Sequence, residues 1–334
     1  MSSPSFDEAQ KQRARAAIVA AAVGDALGAS YATSPELLAA LGDGPVTFAK
    51  SRQWREGEWT SSTTMAVPVL KCVAKDWQVE QDVHPLNRVV SAWLSADGRD
   101  LGPHLVNIFA RMKQPNFRKL EIGNRPLSSK IWYITGIEEG EKGCDYSNRA
   151  VARSVPVAVG HLGEGCEAQL VKAVRSTVSL TQQHEDVLEA AQLLALGMRS
   201  AILTGNLDLK AQIGHLHRVT PERKEFWTQK ITEAEKSTPE AFKDTNETAI
   251  GALQAAIAAN AGEPDVKAIL ERAVRAGGDC DRVACIAGAL AGARGGSVPD
   301  EWREKVWGEP LLYPGKAAES LEAYVDRALA KQLQ

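Results

Sequence analysis

Two distant segments carry most of the oxygen-bearing side chains that could do chemistry in this chain. The first, Trp59-Thr60-Ser61-Ser62-Thr63, offers hydroxyl groups, and the second, Gly277-Gly278-Asp279-Cys280-Asp281-Arg282, offers two carboxylates beside a cation. Such oxygens are ligands for a hard cation, but magnesium is held mainly through anionic oxygens. Together the two segments could form a cation site, but one with few anionic oxygens for magnesium.

A simpler interpretation of both segments is helix capping. Serine and threonine at a helix start satisfy unpaired backbone amides, so residues Thr60 to Thr64 could do no more than cap the helix that follows. Asp279 is an ordinary N-cap residue, and Asp281 in a first turn complements the helix dipole. Capping does not explain the cation, because the dipole disfavours Arg282 by about 0.3–1 kcal/mol. We expect its guanidinium to turn back onto Asp279, Asp281 or a ligand phosphate.

Helical periodicity dominates the elements that must position these segments. Apolar residues recur three and four apart in five stretches, which begin at Ile18, Leu188, Ile250, Val266 and Val283. Sustained strand alternation is missing. The fold class is therefore predicted to be all-α, with one compact orthogonal bundle of many helices spanning residues 1–334 as a single domain.

Glycine and proline set the expected limits of several helices. Gly28 predicts the end of the first helix, and Pro239 and Pro264 are expected at first helical positions. Pro68 removes a backbone donor and predicts a kink in the helix after the first segment. The stretch from Gln114 to Tyr146 is predicted to be an irregular excursion over the surface.

Composition excludes several classes of protein. The chain has 334 residues, of which 44% are hydrophobic and 24% charged, with a net charge of -3, so no basic footprint for nucleic acid is present. The N-terminus lacks the order of a signal peptide, and Ile18 to Val23 is too short to span a bilayer, so we expect a cytoplasmic protein without a membrane partner. Five cysteines without CxxC spacing argue against disulfides and a zinc ribbon.

Five motifs, in chain order, resemble those of the ADP-ribosylglycohydrolase family. They are Gly24 to Gly28, Glu58 to Thr63, Asn148 to Arg153 with Pro156, Thr181 to His184, and Gly277 to Gly295. The resemblance runs from about the first helix to Trp302. It implies an all-α protein of a family that cleaves the bond between ADP-ribose and an acceptor, commonly arginine or serine, with two magnesium ions.

The resemblance also implies a set of metal ligands. In the first half of this implied metal site, several of the ligands are replaced in this chain. Thr60 matches a ligand, but Ser61 and Ser62 stand where the family has two aspartates. Ala32 stands where the family usually has a glutamate. The nearby Glu36 could substitute for it only through a re-routed loop.

The second half of the implied metal site keeps its aspartates and gains a cation. Asp279 and Asp281 match ligands and are the candidate catalytic residues, whereas Arg282 replaces a hydroxyl ligand. With two carboxylates and a guanidinium, the site is too weakly negative for two dications. We therefore predict no metal cofactor, although the family uses magnesium.

Two further motifs supply candidate ligand-binding residues. Asn148, Arg149 and Arg153 lie in a loop that, in the family, approaches the ligand's phosphates, and Arg149 replaces a glycine. For Arg149 a surface position is the more frequent alternative. His184 matches a family histidine, but a satisfied polar residue is the simpler interpretation. The predicted ligand-binding set is Thr60, Ser61, Ser62, Asn148, Arg149, Arg153, His184, Gly278 and Arg282.

Three functions fit these residues. The first is a protein that binds ADP-ribose, a related nucleotide or an ADP-ribosylated substrate without magnesium and without hydrolysis. The second is a metal-independent hydrolase in which Asp279 or Asp281 positions water and Arg282 stabilises developing charge. The third is a structural or regulatory interaction protein that keeps only the scaffold. Because a fold alone does not fix function, the ranking depends on the altered site. That site favours the three functions in the order given.

Overall fold

Two helices form the centre of the fold, and both carry candidate site residues. In this computed structural model, which describes residues 6–76, 84–96, 98–114 and 125–332, helix α1 (Glu8–Thr33) packs antiparallel along a second, Cys280–Ala293. Glycines permit the close approach. A Cβ atom on Gly24 would lie 2.2 Å from the Ala284 carbonyl oxygen, and one on Gly288 would lie 2.3 Å from the Ala20 carbonyl oxygen.

The remaining described residues form further helices around this pair. They are α2 (Pro35–Leu41), α3 (Ser61–Asp76), α4 (His84–Ser95), α5 (Gly102–Lys113), α6 (Leu127–Lys142), α7 (Arg149–Arg153), α8 (Glu167–Val178), α9 (Glu185–Thr204), α10 (Pro221–Glu235), α11 (Ala249–Asn260), α12 (Val266–Arg275), α14 (Asp300–Arg303) and α15 (Ala317–Lys331), with 3₁₀ helices at Val155–Gly160, Lys210–His215 and Pro239–Phe242. The second central helix, Cys280–Ala293, is α13. Within the described ranges the only extended pairing consists of isolated bridges. The predicted all-α fold is confirmed.

Several predicted helix limits are wrong. Helix α1 continues past Gly28 to Thr33, because that glycine serves close packing: a Cβ atom there would lie 2.4 Å from the Asp281 Cα atom. Helix α12 begins at Val266 with Asp265 as its N-cap, so Pro264 precedes the helix. Helix α3 contains Pro68 within its length, and the kink expected there stays a prediction.

The predicted surface excursion from Gln114 to Tyr146 is also wrong in part. Residues Leu127–Lys142 form helix α6, whose Ile131 and Ile134 are buried in the core. Residues 115–124 lie outside the described ranges. Glycine and charge in this stretch therefore mark an amphipathic helix with an exposed face as well as loops.

The apolar segment from Ile18 to Val23 is too short to span a membrane, but it belongs to a longer apolar helix. Helices α1 and α9 are long and apolar enough to cross a membrane, yet 83% of the apolar window in each is buried inside the protein. Burial of this kind is typical of core helices. The five cysteines are all free thiols, and Cys72, Cys280 and Cys285 are buried.

Candidate functional site

Arg282 lies at the centre of the candidate site and contacts three carboxylates. It stands in the first turn of α13 and is 3% exposed. Its Nη1 atom lies 3.2 Å from Asp281 Oδ2 and 3.4 Å from Asp279 Oδ2, while Nη2 donates to the Asp100 carboxylate. The guanidinium therefore turns back onto both aspartates as its position predicts. Asp100 is a third partner that the sequence analysis missed.

Asp25 is a second buried carboxylate, and it caps helix α3 from a distance. Its oxygens accept hydrogen bonds from Thr60 N at 3.2 Å, Thr60 Oγ1 at 2.6 Å, Thr63 N at 2.9 Å and Thr63 Oγ1 at 2.6 Å. The start of α3 is thus capped by a side chain of α1. The Thr60 hydroxyl, a predicted ligand-binding group, is committed to this cap.

The two serines of the first segment are also engaged within the protein. Ser61 Oγ donates to the Asp100 carbonyl oxygen at 3.0 Å. Ser62 Oγ lies 3.3 Å from Thr60 Oγ1, and its backbone amide donates to Thr60 Oγ1 at 3.2 Å. Both serines are buried. Ser61 therefore contacts Asp100, which is also a partner of Arg282, and Ser62 contacts Thr60.

Arginine side chains are usually found on the surface, but that of Arg149 is partly buried. Its side chain is 23% exposed, and Nη1 donates to the Asp100 carbonyl oxygen at 2.6 Å. Gly102 makes room for it, because a Cβ atom there would lie 2.6 Å from Arg149 Nε. Asp100 itself adopts φ 60°, which is uncommon for a residue other than glycine. The contacts of Arg149 and Arg282 meet at this one residue.

Asp279 occupies the N-cap position of α13, but its side chain makes no capping hydrogen bond. Its Oδ2 atom accepts from Asn148 Nδ2 at 3.2 Å instead. Asn148 is fully buried, donates also to the Asn246 carbonyl oxygen at 2.6 Å, and has an Oδ1 atom without a partner among the described residues. Simple capping therefore does not account for this aspartate.

A glycine is required at position 278 because its backbone packs against Asn246. Its φ is 63°, and a Cβ atom would lie 2.4 Å from Asn246 Oδ1, which accepts from the Asp279 amide at 3.0 Å. The structure thus gives Gly278 a structural role close to the predicted site. No ligand is needed to explain it.

Arg153 lies deeper than the rest of the site. It is 3% exposed, stacks 5.4 Å from the Trp93 ring centroid and donates to Thr181 Oγ1. Burial lowers the pKa of this guanidinium to about 9, and the charges of Arg149 and Arg282 add to the effect. The charges of the other two arginines therefore act on Arg153, although its side chain faces the core.

His184 and Gln182 hold the loop beside the site. His184 is the N-cap of α9, accepts from the Asp186 amide at 3.3 Å, and packs its ring 4.3 Å from that of Tyr146. It is the satisfied polar residue of the simpler interpretation. Gln182 accepts from the Ala150 amide at 2.8 Å and donates to the Ser147 carbonyl oxygen at 2.8 Å, a role that the sequence analysis missed.

A cleft of about 340 Å³ opens at this cluster. It is lined by Leu101, Gly102, Pro103, His104, Asp145, Tyr146, Ser147, Arg149, Glu247, Thr248 and Asp279. Two of the predicted site residues, Arg149 and Asp279, line it directly. Tyr146 is 46% exposed, and the buried His104 Nε2 has no hydrogen-bond partner within the described residues. A larger cavity of about 780 Å³, between α1 and α15, contains none of the predicted residues.

The electrostatics of the cluster are those of four aspartates competing for one guanidinium. Burial raises the pKa of Asp281 to about 7; Arg282 opposes this, and Asp100, Asp279 and Asp25 add to it. Burial lowers the pKa of Arg282, but the charges of Asp281, Asp100 and Asp279 outweigh burial and raise it. Burial also raises the pKa of Asp25 against the hydrogen bonds from Thr60 and Thr63. The cluster therefore resists full ionisation.

These residues do not fit two magnesium ions. The guanidinium of Arg282 occupies the space between Asp100, Asp279 and Asp281, and the hydroxyls of Thr60 and Ser61 are bound to protein oxygens. Among the described residues, no group of three or more His, Cys, Asp or Glu side chains is arranged to hold a metal. Ala32 is half-buried in the last turn of α1, and Glu36 is exposed on α2.

Comparison with known proteins gives a consistent result. The family model described as ADP-ribosylglycohydrolase matches residues 7–334. A solved structure described as an ADP-ribosylglycohydrolase-related protein complex is similar with a TM-score of 0.63 and 21% identity, over 98% of this chain and 100% of that chain. At that identity the likeness concerns the fold alone. A search of curated proteins finds no match.

Proposed function

Because the chain belongs to the ADP-ribosylglycohydrolase family, we propose that its cleft binds ADP-ribose, a related nucleotide or an ADP-ribosylated substrate without magnesium and without hydrolysis. One observation carries this proposal: the Arg282 guanidinium lies among Asp100, Asp279 and Asp281. A fixed cation replaces bound cations there.

The charge of the site supports the metal-free part of the proposal. Magnesium requires nearly octahedral oxygen ligands at about 2.0–2.1 Å and dehydrates reluctantly. A guanidinium within hydrogen-bond distance of the same carboxylates repels a dication and takes up the lone pairs that it would need. The charges of Asp279 and Asp281 are therefore offset in part by the protein itself.

The cleft keeps groups that suit a nucleotide. Tyr146 is an exposed aromatic ring, backed by His184, on which a base could stack. Arg149 lines the same cleft and offers a planar guanidinium of the kind that recognises phosphate. These two residues supply the stacking and the charge that ADP-ribose needs.

Loss of hydrolysis follows from the engagement of the carboxylates. A general base must be free to accept a proton from water. Asp279 accepts from Asn148 and contacts Arg282, and Asp281 is buried against the same arginine. Arg282 can stabilise developing charge but cannot accept a proton, since a guanidinium remains protonated in proteins.

Titration calorimetry with ADP-ribose, in chelator and in magnesium, tests this proposal. We expect the same dissociation constant in both buffers, and binding weakened about tenfold by Arg149→Gln because a charge-assisted hydrogen bond is lost. Lys224→Gln, which removes an exposed cation from α10, should bind normally. Magnesium-dependent binding contradicts the proposal. Release of ADP-ribose from modified peptides would support the metal-independent hydrolase, and absence of binding would support a scaffold.

A further inference from the structure

The two arginines of the site converge on one anionic side chain of the protein. Arg282 Nη2 donates to the Asp100 carboxylate, and Arg149 Nη1 lies 3.6 Å from Asp100 Oδ1. We propose that Arg149 and Arg282 form an oxyanion site, that Asp100 occupies it in the free protein, and that a phosphate group displaces this carboxylate. The phosphate rests on the proposed nucleotide function, but the site itself does not require a nucleotide.

The guanidinium of Arg282 is divided between two kinds of contact. Nη1 faces Asp279 and Asp281, both on the same turn of α13, and Nη2 faces Asp100 from a different part of the chain. Its Nε atom is buried without a hydrogen-bond partner in the described part of the chain. One end of this arginine is therefore fixed by its own helix, whereas the other end holds an exchangeable anion.

The backbone of Asp100 has strong hydrogen bonds of its own, besides the longer contact of Ser61 Oγ with its carboxylate at 3.4 Å. The Asp100 carbonyl oxygen accepts from Ser61 Oγ at 3.0 Å and from Arg149 Nη1 at 2.6 Å. These bonds hold the residue at φ 60°, a conformation that costs energy for a residue with a Cβ atom. The carboxylate can rotate away while both carbonyl bonds persist, so an incoming anion needs only a side-chain movement.

Access to the buried arginine depends on this side chain. The Asp100 side chain is 17% exposed, whereas that of Arg282 is 3% exposed. Arg149, which lines the cleft, is 23% exposed. Asp100 and Arg282 lie behind the cleft lining, next to Leu101, Gly102 and Arg149, so an anion entering the cleft meets Arg149 first and reaches Arg282 only after the Asp100 carboxylate has moved.

The chemistry of the site favours a phosphate over a neutral ligand. Two guanidinium groups bind planar or tetrahedral oxyanions through charge-assisted hydrogen bonds. A phosphate carries more charge than the single carboxylate that it replaces. Because the phosphate takes the place of the Asp100 carboxylate, the buried guanidinium of Arg282 keeps an anionic partner.

The test removes the competing carboxylate while keeping the backbone. Asp100→Asn keeps a side chain that tolerates positive φ, and Asp100→Gly removes the conformational cost altogether. Binding of inorganic phosphate and pyrophosphate is measured by calorimetry at constant ionic strength, with folding checked by circular dichroism. We expect both variants to bind at least about tenfold more tightly than the wild type.

A matched control separates a specific site from a general change in charge. Glu247→Gln removes a carboxylate that lines the cleft and makes no hydrogen bond or ion pair with either arginine among the described residues, so it should leave phosphate affinity within about twofold. Adding Arg282→Gln to Asp100→Asn should abolish the gain. Equal gains in Glu247→Gln and Asp100→Asn would overturn the proposal, as would the absence of any gain in both folded Asp100 variants.

The same experiment distinguishes this inference from the proposed function. Tighter phosphate binding without ADP-ribose binding supports the oxyanion site and contradicts the nucleotide function. ADP-ribose binding to the wild type with unchanged phosphate affinity in the Asp100 variants supports the nucleotide function and contradicts the oxyanion site. A gain in both ligands supports both.

Discussion

At the scale of single residues, the site is a problem of charge balance in a buried place. Four aspartates, Asp25, Asp100, Asp279 and Asp281, act on one guanidinium, that of Arg282. Burial of charges is costly unless they are paired and hydrogen-bonded, and one cation cannot pair fully with four anions. Protonation relieves the excess, because burial raises the pKa of Asp281 to about 7 and raises that of Asp25 above its ordinary value.

This protonation predicts how stability depends on pH. The pKa of Asp281 in the folded protein lies above its ordinary value of 3.8, so the folded state binds the proton more tightly than the unfolded state. Its contribution is full below about pH 4 and is lost as pH rises through about 7. Relative to Asp281→Asn, the wild type should therefore lose free energy of unfolding as pH rises from about 4 to about 7.

Urea unfolding at several pH values measures the effect. Every other group is common to the two proteins, so the difference between the wild type and Asp281→Asn reports this carboxyl together with its coupling to Asp25, Asp100, Asp279 and Arg282. Asp43→Asn, in an exposed turn, controls for loss of a carboxylate elsewhere. Parallel pH profiles for the wild type and Asp281→Asn would show that Asp281 ionises as it does in the unfolded chain.

At the scale of elements, the antiparallel contact of α1 with α13 brings the two halves of the site together. Asp25 lies on α1 between Gly24 and Gly28, and both glycines touch the backbone of α13 close to Asp281. Asp25 then reaches across to the start of α3 and fixes Thr60 and Thr63. Three helices are thus linked through one buried carboxylate.

Two glycine substitutions should act in opposite directions. In Gly28→Ala the new Cβ atom would lie 2.4 Å from Asp281 Cα and 2.6 Å from Asp281 N, both backbone atoms. The helices must separate, which should cost about 1–3 kcal/mol or more. Gly136→Ala in α6 meets its nearest atom at 3.5 Å, an ordinary contact, and should stabilise by about 0.5–1 kcal/mol.

Thermal unfolding of both variants and the wild type decides this prediction. A Gly28→Ala protein as stable as the wild type would show that the α1–α13 contact is looser than described. The second variant reports whether the assay detects a gain of the expected size. Calorimetry of the Gly28→Ala variant with ADP-ribose would further show whether the helix spacing matters for the cleft.

At the scale of the whole molecule, the sequence predicted the helices and the local contacts but not the long-range ones. Apolar periodicity is a local property, and so is the return of Arg282 onto Asp279, three residues before it. Asp25 and Asp100 have partners 35 and 182 residues away, and no spacing in the sequence reports such distances. A signal for Asp25 did exist, because an aspartate within a buried alanine-rich helix requires a partner.

The sequence signals for Gly28 were ambiguous for a physical reason. Glycine ends helices because it adopts positive φ, and it also permits close helix packing because it lacks a Cβ atom. Only the position of α13, more than two hundred residues later in the chain, decides between these roles. The tertiary structure therefore overrides the local signal here.

The whole fold should accept the reverse change, from a built-in cation to bound cations. Ser61→Asp, Ser62→Asp, Ala32→Glu and Arg282→Thr together remove one guanidinium and add three carboxylates where the resemblance places metal ligands. The cluster then lacks its central cation and keeps only Arg149 beside Asp100, so we expect magnesium affinity and a stability that depends on magnesium. With magnesium at about a hundred times its dissociation constant, the gain should be about 2.7 kcal/mol.

Thermal unfolding in chelator and in magnesium measures this change, and the wild type should respond to neither. Arg282→Thr alone is the control, because it leaves Asp100, Asp279 and Asp281 without their cation. That single variant should be destabilised by about 3–5 kcal/mol, since buried charges are left unpaired. A folded quadruple variant that ignores magnesium would mean that these positions do not face a common centre, and the role of Arg282 as a substitute cation would then have no basis.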